Sequence, residues 1–224
     1  RARHIGMGRC ESTVARRKES FSNGGEISLV KAFYITEPGS TAIGELQQPR
    51  PAADEVLLKT RLIGMCGTDL STFRGKNPLV SYPRIPGHEI AATIVEVGSS
   101  VPSEYQPGTN VTVYPNTHCG KCASCKRGRT NACKFNETLG VQRDGAMKSF
   151  FTAPWQKVYR AEGLSLEELS LVEPLAVGFH AAERGRVAAA DVVAVIGCGM
   201  VGLGAMGLMY RDLKPNNILL NEDG

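Results

Sequence analysis

No apolar run in this sequence approaches the roughly 20 residues that a membrane-spanning helix requires, so no membrane partner is expected. Neither sign of charge dominates. Lysine and arginine number 26 against 22 aspartates and glutamates, a net charge of +4. Residues 1–28 supply +3 of it, from six basic and three acidic side chains, and the remainder is near neutral. Without a basic stretch in that remainder, a nucleic-acid partner is not expected either. The chain also lacks the even, dispersed set of cysteines that marks a disulfide framework. It has seven, an odd number, and four of them fall within fifteen residues. That pattern reads as metal binding in a reducing compartment, and a cytoplasmic location is expected. Residues 1–27 show neither helical nor strand periodicity, and the chain does not begin with Met. Met7-Gly8-Arg9-Cys10-Glu11-Ser12 matches a myristoylation pattern, but that signal needs the glycine at a free N-terminus. The stretch is Arg- and Ser-rich like a transit peptide, yet it contains Glu11 and Glu19. It is read as a disordered basic extension.

From Ser28 the pattern turns strand-like. Leu29 to Ile35, Glu55 to Ile63, Ile90 to Val97 and Asn110 to Tyr114 are rich in Val, Ile, Leu and Thr. Proline and glycine punctuate them at Pro38-Gly39, Pro49 to Pro51, Pro83 to Gly87 and Pro107-Gly108. Short strands with irregular turns predict a β-rich, barrel-like domain. The expected division is an extension over residues 1–27, a zinc-binding domain with a connecting helix over 28–187, and an α/β segment over 188–224.

Three groups of residues carry chemistry. The first is Pro86-Gly87-His88-Glu89 at the start of a strand, with Cys66 upstream and Glu173 downstream. Cys, His and Glu make a catalytic zinc ligand set that leaves a fourth position for water or substrate. The second is Cys119, Cys122, Cys125 and Cys133, spaced C-x2-C-x2-C-x7-C. Four thiolates so close can surround a structural zinc with no open position. Gly120 and Gly128 allow the tight turns, and Lys121, Lys126, Arg127 and Arg129 offset the negative charge. An iron–sulfur cluster is the rival, but that motif places its fourth cysteine three residues on and follows it with Pro. The third is Gly197-Cys-Gly199-Met-Val-Gly202, directly after the apolar run Asp191 to Ile196. Strand, G-x-G-x-x-G and helix together are a dinucleotide fingerprint. Between the second and third groups, Leu164 to Arg184 reads as a helix, with Ser165 and Glu168 as a capping box. Pro174 is expected to break or restart it, leaving Glu173 at the break, free to turn toward a metal.

Gly64-Met65-Cys66-Gly67-Thr68-Asp69, Pro86-Gly87-His88-Glu89 and Cys119 to Cys133 resemble the zinc-dependent medium-chain alcohol dehydrogenases. Leu171-Val-Glu-Pro-Leu-Ala-Val-Gly-Phe-His180 resembles the polyol, sorbitol-type branch. The resemblance covers about residues 28–205. It implies a GroES-like barrel, here incomplete, followed by the first βα(β) unit of a Rossmann domain. It implies a zinc-dependent, NAD(P)-linked oxidoreductase of polyol or secondary-alcohol type, with hydride leaving a zinc-bound alkoxide. In that resemblance Cys66, His88 and Glu173 hold the catalytic zinc and Glu89 exchanges with or backs the third ligand. Thr68 takes the hydroxyl proton, and Asp69 hydrogen-bonds His88. The cofactors implied are two zinc ions, one catalytic and one structural, and NAD(H) or NADP(H) on Gly197, Gly199 and Gly202. Many relatives carry a His five residues after the zinc cysteine, where this chain has Ser71. The partner implied is a small alcohol or polyol. Family members form homo-oligomers through a sheet edge that lies beyond this chain, so its own oligomeric state stays open.

The end of the chain departs from that pattern. Tyr210-Arg-Asp-Leu-Lys-Pro-Asn-Asn-Ile-Leu-Leu220 resembles a protein-kinase catalytic loop, with Asp212 as base, Lys214 beside it and Asn217 at the magnesium position. A kinase also needs a nucleotide lobe and a D-F-G, for which this sequence has no room, so kinase activity is not expected. The same residues can complete a Rossmann unit: helix Val201 to Leu213, turn Lys214 to Asn217, strand Ile218 to Leu220, and Glu222 or Asp223 as the ribose-binding acid. The alternative to a dehydrogenase is a non-catalytic zinc-binding fragment or fusion product. An incomplete chain is expected to be inactive by itself.

Overall fold

The computed structural model describes residues 28–188 and 191–210. The basic extension, and the kinase-like segment from Arg211 onward with Glu222 and Asp223, lie outside the described residues.

A hairpin comes first. β1 (Leu29–Glu37) pairs antiparallel with β2 (Ser40–Gln47) across the Pro38-Gly39 turn, where Gly39 takes φ +80°. Val30, Ala32 and Ile35 face inward, whereas β2 buries little and leaves Ile43 exposed. The second sheet has five antiparallel strands in the order β6-β3-β4-β5-β7. These are β3 (Glu55–Gly64), β4 (Glu89–Val97), β5 (Asn110–Val113), β6 (Phe150–Pro154) and β7 (Val158–Arg160). Val56, Leu57 and Leu58 of β3 and Ile90, Ala91 and Ala92 of β4 are buried consecutively. Consecutive burial means that both faces of these central strands are covered, so their sequences read as apolar runs without alternation. Leu58, Ile90, Ile94, Val111, Val113 and Phe151 form the heart of the core. An isolated bridge from Ala32 to Lys148 ties the hairpin to this sheet, giving the expected barrel-like body.

Two helices are short: α1 (Gly67–Phe73) and α2 (Ala123–Lys126). The long one, α3 (Leu166–Gly185), starts as expected. Ser165 Oγ accepts from the Glu168 N–H, and the Glu168 carboxylate accepts from the Ser165 N–H. It ends at Arg186 in the left-handed region. The helix runs unbroken through Pro174, contrary to the expected break. Proline lacks the N–H that would bond the Ser170 carbonyl, but Pro174 and Leu169 are buried and α3 packs on β3, β4 and β5, so burial holds the helix together.

The last described element is α4 (Met200–Tyr210), which packs against α3. The contact is close: a Cβ on Gly178 would lie 2.7 Å from the Ala205 nitrogen. Before α4, the run Asp191 to Ile196 departs from the buried parallel strand its sequence predicts. It pairs with no described strand, and Val192 and Ile196 are fully exposed. A parallel strand is stable only with neighbours in its ladder and helices over its faces, and none of the described strands adjoins it.

Candidate metal centres

The ladder of β3 and β4 builds the first centre. Their register sets Gly64, the last residue of β3, opposite Glu89, the first of β4. The chain therefore leaves β3 into Cys66 where it enters β4 from His88. Cys66, His88 and Glu89 each offer a ligand atom, and these atoms lie within 4.8 Å of one another. The fit depends on Gly64, because a Cβ there would fall 2.1 Å from Glu89 Oε2. Glu173, on α3, stands outside this tight group, yet its charge acts on His88, and the Glu89 charge acts on it.

Neighbouring residues set the electrostatics. The His88 imidazole draws the Cys66 thiol below its ordinary pKa against the opposing effect of burial, and Thr68 adds to the lowering. Burial by itself would lower the pKa of His88; Cys66, Asp69 and Glu173 outweigh it and leave the pKa raised. Burial raises the pKa of Glu173, Glu89 raises it further, and His88 opposes both. With Glu173 beside it, the group gathers one thiol, two carboxyls and one imidazole, with more capacity for negative than positive charge. His88 Nδ1 is buried without a hydrogen-bond partner. A borderline-soft divalent cation suits this donor set.

Asp69 behaves differently from expectation. Its Oδ1 is 3.9 Å from His88 Nδ1, beyond hydrogen-bond length. Its oxygens instead accept the N–H of Cys66 at 3.0 Å and of Gly87 at 3.3 Å. Asp69 is buried and holds the two turns that carry Cys66 and His88.

The second centre is local. Sγ atoms of Cys119, Cys122, Cys125 and Cys133 lie within 4.8 Å of one another. Cys122 and Cys133 sulfurs are 4.0 Å apart, far beyond a disulfide bond, and all six described cysteines are free. Backbone N–H groups point at the sulfurs: those of Cys119 and Phe135 donate to Cys133 Sγ, and that of Cys122 donates to Cys119 Sγ. Such bonds favour thiolates. The N–H of Cys125, then that of Lys134, helps bring Cys122 down to about 6. Burial, then the Cys122 sulfur, pushes Cys125 up to about 12. Four convergent sulfurs met by backbone N–H groups fit a closed tetrahedral zinc site.

The three glycines of the glycine-rich turn sit in different surroundings. Gly197 takes φ +99°, which only glycine adopts freely. A Cβ on Gly199 would meet nothing within 4 Å, so its backbone is open to a ligand. A Cβ on Gly202 would lie 2.0 Å from the Gly197 carbonyl oxygen, so the third glycine packs α4 against the turn. A cleft of about 750 Å³ runs from Met65, Cys66 and Glu89, past Pro174, to Gly197, Gly199 and Gly202. The centre and the turn therefore share one opening. No described helix is long and apolar enough to cross a membrane.

The chain is similar to known proteins in both sequence and structure. Residues 52–163, half of the chain, match the alcohol dehydrogenase GroES-like domain. The chain is 33% identical over 186 residues to an L-galactonate-5-dehydrogenase of Escherichia coli K12, covering 83% of this chain and 54% of that protein. It is 36% identical over 200 residues to a sorbitol dehydrogenase of Bacillus subtilis 168, covering 83% and 56%. In structure it is similar to an alcohol dehydrogenase of Escherichia coli CFT073 complexed with NADH, with TM-score 0.76 and 32% identity over 81% of this chain and 53% of that one. The chain spans about half the length of the relatives it matches. By its GroES-like domain, its cysteine lobe and these relatives, the chain belongs to the zinc-type medium-chain alcohol dehydrogenase family.

Proposed function

We propose that this chain carries the zinc centres and the substrate-facing half of a zinc-dependent, NAD(P)-linked dehydrogenase that oxidises a polyol or another secondary alcohol. The observation that supports this most is the shared cleft, which puts Cys66 and Glu89 in the same opening as the Gly197–Gly202 turn. Cys66, His88 and Glu89 would hold the catalytic zinc, with Glu173 beside them to replace or back Glu89. Zinc bound there supplies Lewis acidity to a substrate oxygen. Thr68, two residues on from Cys66 and within hydrogen-bond reach of its sulfur, would receive the substrate hydroxyl's proton while passing its own toward solvent, and a bound nicotinamide would take the hydride. Ser71 is a poorer proton conduit to solvent than the His of many relatives, because its hydroxyl does not titrate near neutral pH. The open backbone at Gly199 admits the pyrophosphate. Cys119, Cys122, Cys125 and Cys133 would hold a structural zinc away from the chemistry. Free thiols throughout the described residues suit a reducing, cytoplasmic setting.

A second reading has its own support: a zinc-binding fragment that does not turn over. Val192 and Ile196 are exposed where a Rossmann sheet would bury them, which weakens the cofactor side of the cleft. One set of measurements separates the two. Metal analysis should give about two zinc ions per chain, and Cys66→Ala should remove one. NADH titration by calorimetry and a sorbitol or galactonate oxidation assay complete the set. Turnover that Cys66→Ala abolishes refutes the fragment reading. A chain with both zinc ions, no NADH binding and no turnover supports it. Fewer than two zinc ions, with Cys66→Ala binding as much as wild type, sinks the catalytic centre itself.

A further inference from the structure

The segment Arg84 to Gly87 delivers His88, and each of its backbone groups has a defined partner. Arg84 exchanges both bonds with Ile35 of β1, at 2.8 and 2.9 Å. The Ile85 carbonyl accepts from Gly145 at 2.7 Å, that of Pro86 from Met147 at 3.0 Å, and that of Gly87 from Ala146 at 2.9 Å. Two donors remain, and each goes to a carboxylate. Gly87 N–H donates to Asp69 Oδ1, and Ile85 N–H donates to Asp144 Oδ1 at 3.2 Å. The same Asp144 oxygen takes Arg84 Nη1 at 2.9 Å, while Arg84 Nη2 donates to Ser81 Oγ. The turn behind the segment cannot retreat or swell, since a Cβ on Gly145 would lie 2.3 Å from the Pro86 carbonyl oxygen.

We propose that Asp144 is a positioning residue for the Cys66–His88–Glu89 centre, acting through the backbone of Ile85 and the side chain of Arg84. The proposal rests on the reading of that centre as a zinc site. Asp144 is half-exposed, so its ion pair with Arg84 is worth little to stability. Its bond to Ile85 matters more, because Ile85 is buried and its N–H has no other acceptor among the described residues. Without that acceptor, the segment has an unpaired donor three residues before His88. The ring then loses a fixed approach to Cys66 and Glu89, whereas the cysteine lobe is untouched.

The test is a zinc competition titration of the full chain with a chelator of graded strength, on wild type, Asp144→Ala and Asp144→Asn. Asn keeps an oxygen for the Ile85 N–H and loses only the charge. Asp144→Ala should weaken the zinc that depends on Cys66 about tenfold, leave the lobe zinc unchanged, and be rescued by Asp144→Asn to within about twofold. If Asp144→Ala does not fold, Asp144→Glu replaces it. Its extra methylene keeps charge beside Arg84 but moves the oxygen off the Ile85 N–H, and about tenfold weakening is again expected. Unchanged affinity, equal loss at both centres, or failure of Asn to rescue overturns the proposal. A wild-type chain whose zinc content ignores Cys66→Ala overturns the zinc reading beneath it, a result recognisable before any Asp144 variant is made.

Discussion

The two centres are built in opposite ways. In the cysteine lobe, four sulfurs come from fifteen consecutive residues, turned by Gly120 and Gly128 and met by neighbouring N–H groups. Closing so short a loop costs little entropy, and none of its ligands depends on the sheet. In the other centre, Cys66 and His88 meet only because β3 and β4 pair in one register, and Glu173 comes near only because α3 lies across β4. The first is a property of a segment, the second of a fold. Metal at the lobe should therefore outlast metal at the fold-dependent centre.

The largest effect expected from that contrast is in metal retention. Structural zinc in short cysteine-rich segments is held by roughly 10–16 kcal/mol near neutral pH, comparable to the whole stability of a domain. Stepwise chelation should remove one zinc early and one late. Cys125→Ser should abolish the late fraction and spare the early one. If Cys66→Ala abolishes the late fraction instead, the ranking of the two centres is reversed. A brown protein with charge-transfer absorbance would replace zinc in the lobe by an iron–sulfur cluster.

A smaller, more selective effect is expected at Gly64. Alanine there would meet Glu89 Oε2 at 2.1 Å and Glu89 Cβ at 2.8 Å. The strand has to shift or Glu89 has to leave the group, at a cost of about 1–3 kcal/mol in thermal stability. Gly64→Ala should release the early zinc more readily and leave the late zinc unchanged. Unaltered early release would mean that Glu89 is not a ligand and that Glu173 carries the third position.

Much of the local structure was legible in the sequence. The C-x2-C-x2-C-x7-C spacing alone brought the lobe together, since its geometry is set within the segment. The Ser165–Glu168 capping box marked the start of α3, because a cap is satisfied within one turn. β3 and β4 were readable from apolar runs, within a residue or two of their ends. β2 was not: it is polar on much of both faces, and Gly44 there only makes room for the Tyr34 ring. The close approach of the Glu89 carboxylate to Cys66 comes from the Gly64–Glu89 register rather than from spacing. The bonds of Asp69 to Gly87 and of Asp144 to Ile85 span 18 and 59 residues, and no local pattern encodes them, whereas the bond of Asp69 to the Cys66 N–H lies within one turn. Asp191 to Ile196 shows the converse: a strand-like run forms no strand without a neighbour.

The smallest effect concerns protons on the metal-free lobe, and it tests whether the segment is preorganised by itself. Cys122 is pulled from the ordinary 9.0 to about 6, first by the Cys125 N–H and then by that of Lys134. Cys125 is pushed to about 12, first by burial and then by the Cys122 sulfur. A thiol whose folded pKa is depressed supports the folded lobe above pH 9.0, and that support drains as pH falls toward about 6. A thiol whose folded pKa is raised supports it below 9.0 and loses that support as pH rises toward about 12. With one support complete above pH 9.0 and the other complete below it, the metal-free lobe is best held near pH 9. Alkylation with iodoacetamide, read by mass spectrometry across pH, should label Cys122 with a midpoint near 6 while Cys125 stays largely unlabelled at pH 9. Zinc should protect both. If the two cysteines are labelled together with a midpoint near 9.0, the N–H groups do not organise the sulfurs before metal arrives. The lobe would then depend on its zinc as much as the Cys66 centre depends on its fold, and the contrast between the two would narrow to loop length alone.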